Sequence, residues 1–284
     1  MRAVYDTDLS AAIETAIGSR TCLECLKRYG IYEIDLITVT SPNVTTGIPG
    51  NDVGERTQRA LDRQREVLEE EGFSVETHVM RGTPHRRING LADRVDADLI
   101  IVGSRGQSPL ERRLIGGTAR NVARTAVRPL LVQRIVEGES DHEVANEHLF
   151  QRVLYATDFS ENAERAFQQF QHLGTPTQEA TLVHVAPPDR RADSDAERIG
   201  DAEARLAELA AELEGMGIET RTVVREGEAV EEILAAEAEF DPTTILMGSR
   251  GRSRMRRLLL GSVSEDVTAQ AHSNVVLVPP SRLR

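Results

Sequence analysis

Short apolar runs and longer amphipathic segments alternate along the whole chain. In the second half, Ile199, Ala202, Leu206, Leu209 and Leu213 recur every three to four residues, which is typical of the buried face of a helix. Runs of about four to eight residues rich in valine, isoleucine and leucine predict buried strands. For this half the pattern predicts strands at 153–156, 181–185, 218–224, 244–247 and 275–278, and helices at 160–173, 196–214, 229–238 and 262–271.

The same order of elements occurs twice, because the chain contains two copies of one unit. AVYDTDLS at 3–10 matches VLYATDFS at 153–160, and RRLIGGTARNVA at 112–123 matches RRLLLGSVSEDV at 256–267. The first copy therefore has predicted strands near 3–6, 34–39, 73–79, 98–102 and 130–135, and predicted helices near 10–29, 54–71, 84–95 and 118–126.

Two domains of ordinary size fit within the 284 residues. We predict a first domain at 1–136, an acidic linker at 137–149 and a second domain at 150–284. Strands that alternate with helices of crossover length predict an α/β fold: two Rossmann-like domains, each a five-stranded parallel sheet with helices on both faces. Ligands of such sheets bind at the carboxyl ends of the strands, where the strand order reverses.

The charged residues are unusual in both sign and type. The formal net charge is −12, and Lys27 is the single lysine, so that 33 of the 34 basic residues are arginine. This indicates either adaptation to a salty cytoplasm or a GC-rich coding sequence. In both cases a net negative chain disfavours nucleic acid as the main partner.

The sequence also bears on location and on its two cysteines. It has no run of eighteen apolar residues and no apolar signal region after MRAVYDTD, so we expect no membrane span and a cytoplasmic protein. Cys22 and Cys25 form one CxxC inside a predicted helix. We interpret them as small apolar residues on one helix face, with a redox pair or half a metal site as the alternative.

A glycine-containing loop follows the predicted strand at 244–247. Gly248 comes directly after the strand, and Gly251 lies three residues further on. Gly261 and Ser262 follow after nine intervening residues, at the start of a predicted helix. Glycines let backbone N–H groups approach an anion, and a helix start adds unpaired donors. The pattern therefore predicts a phosphate site. Arginines crowd the same loop, at 250, 252, 254, 256 and 257, and Arg250 is the one that we expect to touch ligand.

The pattern is GxxG followed, after nine residues, by GS. It resembles the nucleotide-binding signature of the universal stress protein family. The resemblance implies strand order 3-2-1-4-5 and a site for an adenine nucleotide, ATP with or without Mg²⁺. It implies that Thr157 and Asp158 contact the nucleoside and that the backbone of Val185 flanks the base. It further implies that Ser262 and Ser264 meet phosphate oxygens. Helix capping is the alternative role for Asp158 and the serines. The implied site residues are Thr157, Asp158, Val185, Gly248, Arg250, Gly251, Gly261, Ser262, Val263 and Ser264.

The first copy keeps most of this pattern. The matching residues are Thr7, Asp8, Gly103, Gly106, Gly116, Gly117 and Thr118, but Gly117 stands where the second copy has a serine. Loss of that hydroxyl removes one donor, although the amide remains and Thr118 follows. We therefore expect weaker or absent nucleotide binding in the first domain.

The resemblance implies a cytoplasmic ATP-binding regulatory protein of the stress response. The sequence has no GxxxxGK[ST] loop and no lysine near the glycines, so we expect no enzyme beyond slow ATP hydrolysis. The alternatives are a slow ATP hydrolase and a scaffold whose copies pair without a small ligand. The family further implies pairing of the two copies through their fifth strands. We also expect a possible homodimer and a regulatory protein partner whose identity is unknown.

Overall fold

The computed structural model describes residues 1–40, 52–104, 115–137, 142–187, 192–251 and 260–281. The chain divides into two compact units, 1–147 and 148–284. Each unit is an α/β domain with five parallel strands, which confirms the predicted fold class. No helix among the described residues is both long enough and apolar enough to cross a membrane.

The first unit begins with the predicted alternation of strands and helices. Its elements are β1 (Arg2–Asp6), α1 (Ala11–Gly18), α2 (Arg20–Tyr29), β2 (Glu33–Thr40), α3 (Asp52–Glu70), β3 (Ser74–Arg81), α4 (Pro84–Arg94), β4 (Leu99–Gly103), α5 (Gly117–Thr125) and β5 (Leu130–Gln133). The parallel strands have the order β3-β2-β1-β4-β5, which is the order 3-2-1-4-5. The order reverses between β1 and β4, because β1 is followed on one side by β2 and on the other by β4.

The second unit repeats this arrangement. Its elements are β8 (Arg152–Thr157), α6 (Glu161–Phe167), α7 (Phe170–Leu173), β9 (Glu179–Ala186), α8 (Ala192–Gly215), β10 (Glu219–Glu226), α9 (Ala229–Phe240), β11 (Thr244–Gly248), α10 (Ser262–Gln270) and β12 (Asn274–Val278). Its parallel strands have the order β10-β9-β8-β11-β12. The reversal lies between β8 and β11.

The first helix predicted in each copy is interrupted. In the first unit, Ser19 lies between α1 and α2 in an extended conformation, and its side chain accepts a hydrogen bond from the N–H of Cys22. A serine that caps the next helix competes with continuation of the previous one, so the predicted helix 10–29 is two helices. In the second unit the predicted helix 160–173 is likewise divided, into α6 and α7.

The segment predicted as a linker, 137–149, contains regular structure. β6 (Ile135–Glu137) and β7 (His142–Val144) form an antiparallel pair within the first unit. Leu149 is buried, and its carbonyl accepts a hydrogen bond from the hydroxyl of Thr243 at 3.4 Å in the second unit. The described part of the segment is therefore folded onto the units on either side of it. Polar composition alone did not show this, because backbone pairing in a short hairpin needs few apolar residues.

Apolar side chains fill the core of each unit. In α8 three residues of the predicted face, Ala202, Leu206 and Leu213, are buried together with Ala210. The other two predicted residues, Ile199 and Leu209, are partly exposed. Cys22 and Cys25 are also buried and are not joined by a disulfide. Burial raises the pKa of the Cys22 thiol to about 12. The thiol therefore stays protonated at neutral pH, which fits its interpretation as a core residue rather than as a metal ligand.

Candidate functional site

A crevice opens in the second unit where β8 and β11 end side by side. Ala156 in β8 is the register partner of Met247 in β11, so Thr157 and Asp158 lie at the same level as Gly248. This is the place at which the strand order reverses. The two predicted stretches of the site, the TD sequence and the glycine loop, are therefore neighbours in the fold, as expected for a doubly wound sheet.

The turn after β8 is held by its own side chains. The hydroxyl of Thr157 accepts the N–H of Phe159 at 3.0 Å, and Oδ1 of Asp158 accepts the N–H of Ser160 at 3.0 Å. Phe159 takes a left-handed conformation, with φ of 57°. Such a conformation costs a non-glycine residue roughly 1–2 kcal/mol, so the surrounding contacts must compensate for it.

Ser160 is the residue that caps α6. Its hydroxyl accepts the N–H of Ala163 at 3.2 Å, and it has the extended conformation of an N-cap. Asp158 lies two residues before the cap and keeps its carboxylate at the mouth of the crevice. The alternative role of Asp158 as the helix cap is therefore filled by Ser160.

Two glycines of the loop lie close to other parts of the second unit. A β-carbon on Gly248 would lie 2.3 Å from Nδ2 of Asn162 and 3.0 Å from the backbone of Asn162 in α6. A β-carbon on Gly251 would lie 2.8 Å from Oδ2 of Asp158. At Gly261 the nearest atoms would lie at 3.5 Å, which is an ordinary contact. Gly248 thus lets α6 pack against β11, and Gly251 lets the loop approach the Asp158 carboxylate.

The helix α10 begins without a side-chain cap. Gly261 is its N-cap, with φ of −66° and ψ of 147°, and a glycine has no side chain that could cap the first turn. The N–H groups of Ser262, Val263 and Ser264 stand in that first turn, where a helix supplies no acceptors of its own. The positive end of the helix dipole is located at the same place. Together these groups can receive an anion.

Other polar groups of the loop already form hydrogen bonds within the second unit. The N–H of Ser249 donates to the carbonyl of Val278 at 2.8 Å, and the N–H of Gly261 donates to the carbonyl of Ser249 at 2.9 Å. Ser264 is buried, and its hydroxyl donates to the carbonyl of Gly248 at 3.0 Å. Its amide therefore remains as the donor that Ser264 can offer to an anion. Ser262, by contrast, is exposed as the first residue of α10.

A cavity of about 390 Å³ adjoins the Asp158 side of this crevice. This volume lies at the lower end of the range for ligand pockets, roughly 300–1,000 Å³. The cavity is lined by Asp158 and Phe159 after β8, by residues 184–187 at the end of β9, and by Arg198, Asp201, Ala202 and Arg205 of α8. Val185, predicted to flank a base, is therefore one of its walls.

The aromatic wall of this cavity was not predicted from the sequence. The ring centres of Phe159 and His184 lie 4.4 Å apart. The guanidinium carbon of Arg205 lies 4.1 Å from the centre of the Phe159 ring. Nδ1 of His184 lies 2.8 Å from the carbonyl oxygen of Thr157, which links the ring to the turn after β8. These residues are far apart in the chain and carry no motif. Only the sheet and the packing of α8 bring them together.

Part of the predicted site lies outside the described residues. This applies to Gly106 in the first copy and to the arginines at 252, 254, 256 and 257 in the second. Arg250 is described, and its carbonyl accepts a hydrogen bond from Nδ2 of Asn162 at 3.3 Å. Leu260, where the described chain resumes, is buried.

The first unit has a similar turn at the end of β1. The hydroxyl of Thr7 accepts the N–H of Leu9 at 3.1 Å, and Oδ1 of Asp8 accepts the N–H of Ser10 at 3.0 Å. Leu9 has a φ of 60°, close to that of Phe159. Thr7 is additionally bound to α3, because its hydroxyl donates to Oε1 of Gln64 at 2.8 Å.

The glycines of the first unit also form an uncapped helix start. Gly116 is the N-cap of α5 with no side-chain hydrogen bond, and its N–H donates to the carbonyl of Ser104 at 2.8 Å. Gly103 ends β4, and Gly117 and Thr118 begin α5. A β-carbon on Gly117 would meet nothing within 4 Å. The absence of a serine at this position therefore leaves the amides of the first turn in place.

Away from the crevice, β2 and β3 bring three metal-ligating side chains together in the first unit. The ligand atoms of Asp35, Glu76 and His78 lie within 4.8 Å of one another. Oδ1 of the buried Asp35 lies 2.7 Å from Nε2 of His78, and its Oδ2 lies 3.7 Å from Nε of Arg2. The buried carboxylate is therefore already compensated by groups of the protein.

Comparison with known proteins agrees with the repeat and the fold. The model of the universal stress protein family matches the chain twice, over residues 19–134 and 149–279. A universal stress protein of Mycolicibacterium smegmatis is 26% identical over 241 residues, which are 80% of this chain and 78% of that protein. Another, from Methanocaldococcus jannaschii, is 34% identical over 112 residues. The latter match spans 37% of this chain and 62% of the relative, which is less than two thirds of its length.

A solved structure shows the same likeness over the full chain. The crystal structure of a universal stress protein from Archaeoglobus fulgidus superposes with a TM-score of 0.75 and 26% identity. The superposition covers 100% of this chain and 97% of that one. Since the family model matches most of the sequence in two separate places, the chain belongs to the universal stress protein family and carries two copies of its domain.

Proposed function

We propose that the second unit binds an adenine nucleotide, with ATP as the expected ligand, with or without Mg²⁺. In this proposal the protein acts in the cytoplasm as a regulatory protein of the stress response and does not turn ATP over efficiently. Nucleotide binding would change its interaction with a protein partner whose identity is unknown.

The position of Asp158 carries the proposal. Its carboxylate lines the 390 Å³ cavity and also lies against Gly251 in the glycine loop. A nucleotide needs a space for its base and a separate set of donors for its phosphates, joined through the ribose. Asp158 lies where these two parts meet, and a carboxylate there can accept hydrogen bonds from ribose hydroxyls.

The charges around the crevice suit the two ends of such a ligand. Phosphate oxygens would meet the amides of Ser262, Val263 and Ser264 at the positive end of α10. The base would enter the cavity beside Val185, where Phe159 and His184 supply an aromatic wall. Arg250 lies two residues after the end of β11 and can add a cation to the phosphate side.

We propose weak catalysis because the second unit has no lysine, a residue that enzymes of phosphoryl transfer usually place beside the phosphates. Lys27 is the single lysine of the sequence, and its Nζ donates to the carbonyl of Glu71 at 2.9 Å in the first unit. No lysine can therefore neutralise a leaving phosphate in the second unit. A measured release of phosphate from ATP that is fast and saturable would replace this part of the proposal with an ATP hydrolase.

The experiment removes one amide donor from α10. Gly261 already has the extended conformation that a residue before proline requires, and the first helical position tolerates proline. Ser262→Pro should therefore keep the helix and lose one N–H. We expect ATP affinity, measured by titration calorimetry, to fall about tenfold, which corresponds to roughly 1.4 kcal/mol.

Two controls separate the amide from other effects. Ser262→Ala removes the hydroxyl and keeps the amide, and Gly117→Pro makes the same backbone change at the first position of α5. Heat denaturation of the purified parent protein, followed by mass spectrometry, shows whether it already carries a nucleotide. A parent protein that releases no nucleotide and gives no heat of binding at millimolar ATP with Mg²⁺ would favour the scaffold without a small ligand.

A further inference from the structure

The two units differ at the residue just before their matching turns. Asp6 precedes the turn in the first unit, and Ala156 precedes the matching turn in the second. Asp6 is paired with Ile37 of β2, and Ala156 is paired with Val183 of β9. The surrounding backbone is alike, so the change adds a carboxylate to one crevice and leaves a methyl group in the other.

The strand register places this carboxylate beside the glycine turn. Tyr5 is the partner of Ile101, so Asp6 lies level with Val102, one residue before Gly103. In the second unit Ala156 is the partner of Met247, one residue before Gly248. The side chain at this position therefore stands next to the point where each glycine loop leaves the sheet.

The alternation of side chains shows which face Asp6 occupies. Thr7 points to the face covered by α3, because its hydroxyl is bound to Gln64 of that helix. Asp6, one residue earlier, points to the opposite face. Right-handed crossovers place α4 and α5 on that opposite face, and these two helices pack against each other. Asp6 thus shares a face with α5, whose uncapped start corresponds to the anion-receiving start of α10.

The first crevice consequently has two carboxylates where the second has one. Asp6 is half-buried, and burial together with the nearby charge of Asp8 raises its pKa to about 7, so that it is mainly a carboxylate at pH 8 and mainly protonated at pH 6. A nucleotide phosphate entering this crevice would add negative charge beside Asp6 and Asp8. Ala156 and Asp158 match Asp6 and Asp8 in the second unit. Ala156 is buried and apolar, so Asp158 is the charged residue of this pair.

We infer that Asp6 is the residue that excludes nucleotide phosphates from the first unit, so that the chain takes up one nucleotide, in the second unit. This inference rests on the proposed function of the second crevice. It attributes the lack of nucleotide binding in the first unit to repulsion between like charges rather than to Gly117. Gly117 retains its amide at an uncapped helix start, whereas Asp6 introduces a charge of the same sign as the ligand.

The test exchanges the two residues. Asp6→Ala, Ala156→Asp and the double variant are compared with the parent protein by calorimetric titration with ATP at pH 8, where Asp6 is mainly ionised, and each protein is checked for folding by circular dichroism. We expect one site per chain in the parent and two in Asp6→Ala. Ala156→Asp should weaken the second-unit site at least tenfold, and the double variant should bind one nucleotide in the first unit.

Three further variants identify the site and the cause. Asp6→Asn keeps the shape of the side chain and removes its charge, so it should also open the first site. Asp6→Ala combined with Ser262→Pro should keep full affinity at the first site and lose affinity at the second. Gly117→Ser should leave the stoichiometry at one, because a serine there adds a hydroxyl without removing the carboxylate.

Each outcome decides for or against the inference. Two sites in the parent, one site in Asp6→Ala, or a second site gained by Gly117→Ser would overturn it. A parent protein that binds no nucleotide while Asp6→Ala binds one would support the role of Asp6 and reject the proposed function of the second unit. If neither protein binds, both proposals fail.

Discussion

Oδ2 of Asp158 lies 2.8 Å from the position that a β-carbon would take on Gly251. This close approach joins two stretches that are more than ninety residues apart in the sequence, the turn after β8 and the loop after β11. A β-carbon at residue 251 would push this carboxylate aside, so the present position of the Asp158 carboxylate depends on the glycine.

The first prediction follows from this contact. Gly251→Ala should displace the Asp158 carboxylate and lower ATP affinity about tenfold in calorimetric titration, because the hydrogen-bond acceptor for the ribose moves. Gly261→Ala is the matched control, since its β-carbon would make an ordinary contact at 3.5 Å. Equal affinities of the two variants would show that Asp158 does not need its present position.

The second prediction concerns packing rather than ligand binding. Gly248→Ala should destabilise the second unit by about 1–3 kcal/mol, because the added methyl group would overlap Asn162 of α6, including its backbone. Urea unfolding measures this change. Gly117→Ala, at a position with nothing within 4 Å, should leave stability unchanged or slightly raised. A Gly248→Ala protein as stable as the parent would contradict the role of this glycine in packing.

The third prediction separates the helix cap from the site. Ser160→Ala should cost about 1 kcal/mol of stability through loss of the cap of α6, with ATP affinity almost unchanged. Asp158→Asn should have the opposite profile, with weaker ATP binding and a smaller effect on stability. If Ser160→Ala lowers affinity as much as Asp158→Asn does, the two roles are not separate.

The fourth prediction concerns pH. The pKa of Asp6 is raised to about 7 in the folded protein, above the value of about 3.9 expected in the unfolded chain. Between these values the folded state holds the proton and the unfolded state has released it. The parent therefore loses stability as pH rises from 4 to 7.

Asp6→Asn has no proton to lose at this position. Its stability relative to the parent should increase over the same pH range, reaching about 1–2 kcal/mol at pH 8, because partial exposure screens part of the effect. Urea unfolding at pH 5 and pH 8 measures the difference. The same difference at both pH values would contradict a raised pKa at Asp6.

Pairing of the two copies through their fifth strands and a further homodimer stay predictions. Light scattering of the parent protein measures the number of chains in the particle. A single-chain mass at micromolar concentration would exclude the homodimer under those conditions.

The candidate site could be proposed from the sequence because its residues come from short motifs. Gly248, Gly251 and Gly261 stand at a diagnostic spacing, and Asp158 follows a strand in a repeated TD sequence. The roles of individual groups were harder to predict. The sequence does not show that Ser160 caps α6 or that the Ser264 hydroxyl donates to Gly248, because each depends on distances of about 3 Å.

The two-copy organisation, the alternation of strands and helices, the parallel strands and the glycine loop follow from the amino-acid sequence alone. These features depend on local periodicity and on short motifs, which are readable along the chain. Three other features became visible in the folded protein. Phe159, His184 and Arg205 form one wall, the Asp158 carboxylate lies close to Gly251, and Asp6 lies beside the start of the loop at Gly103. Such contacts join residues from separate strands and helices, and strand register and packing, rather than local pattern, bring them together.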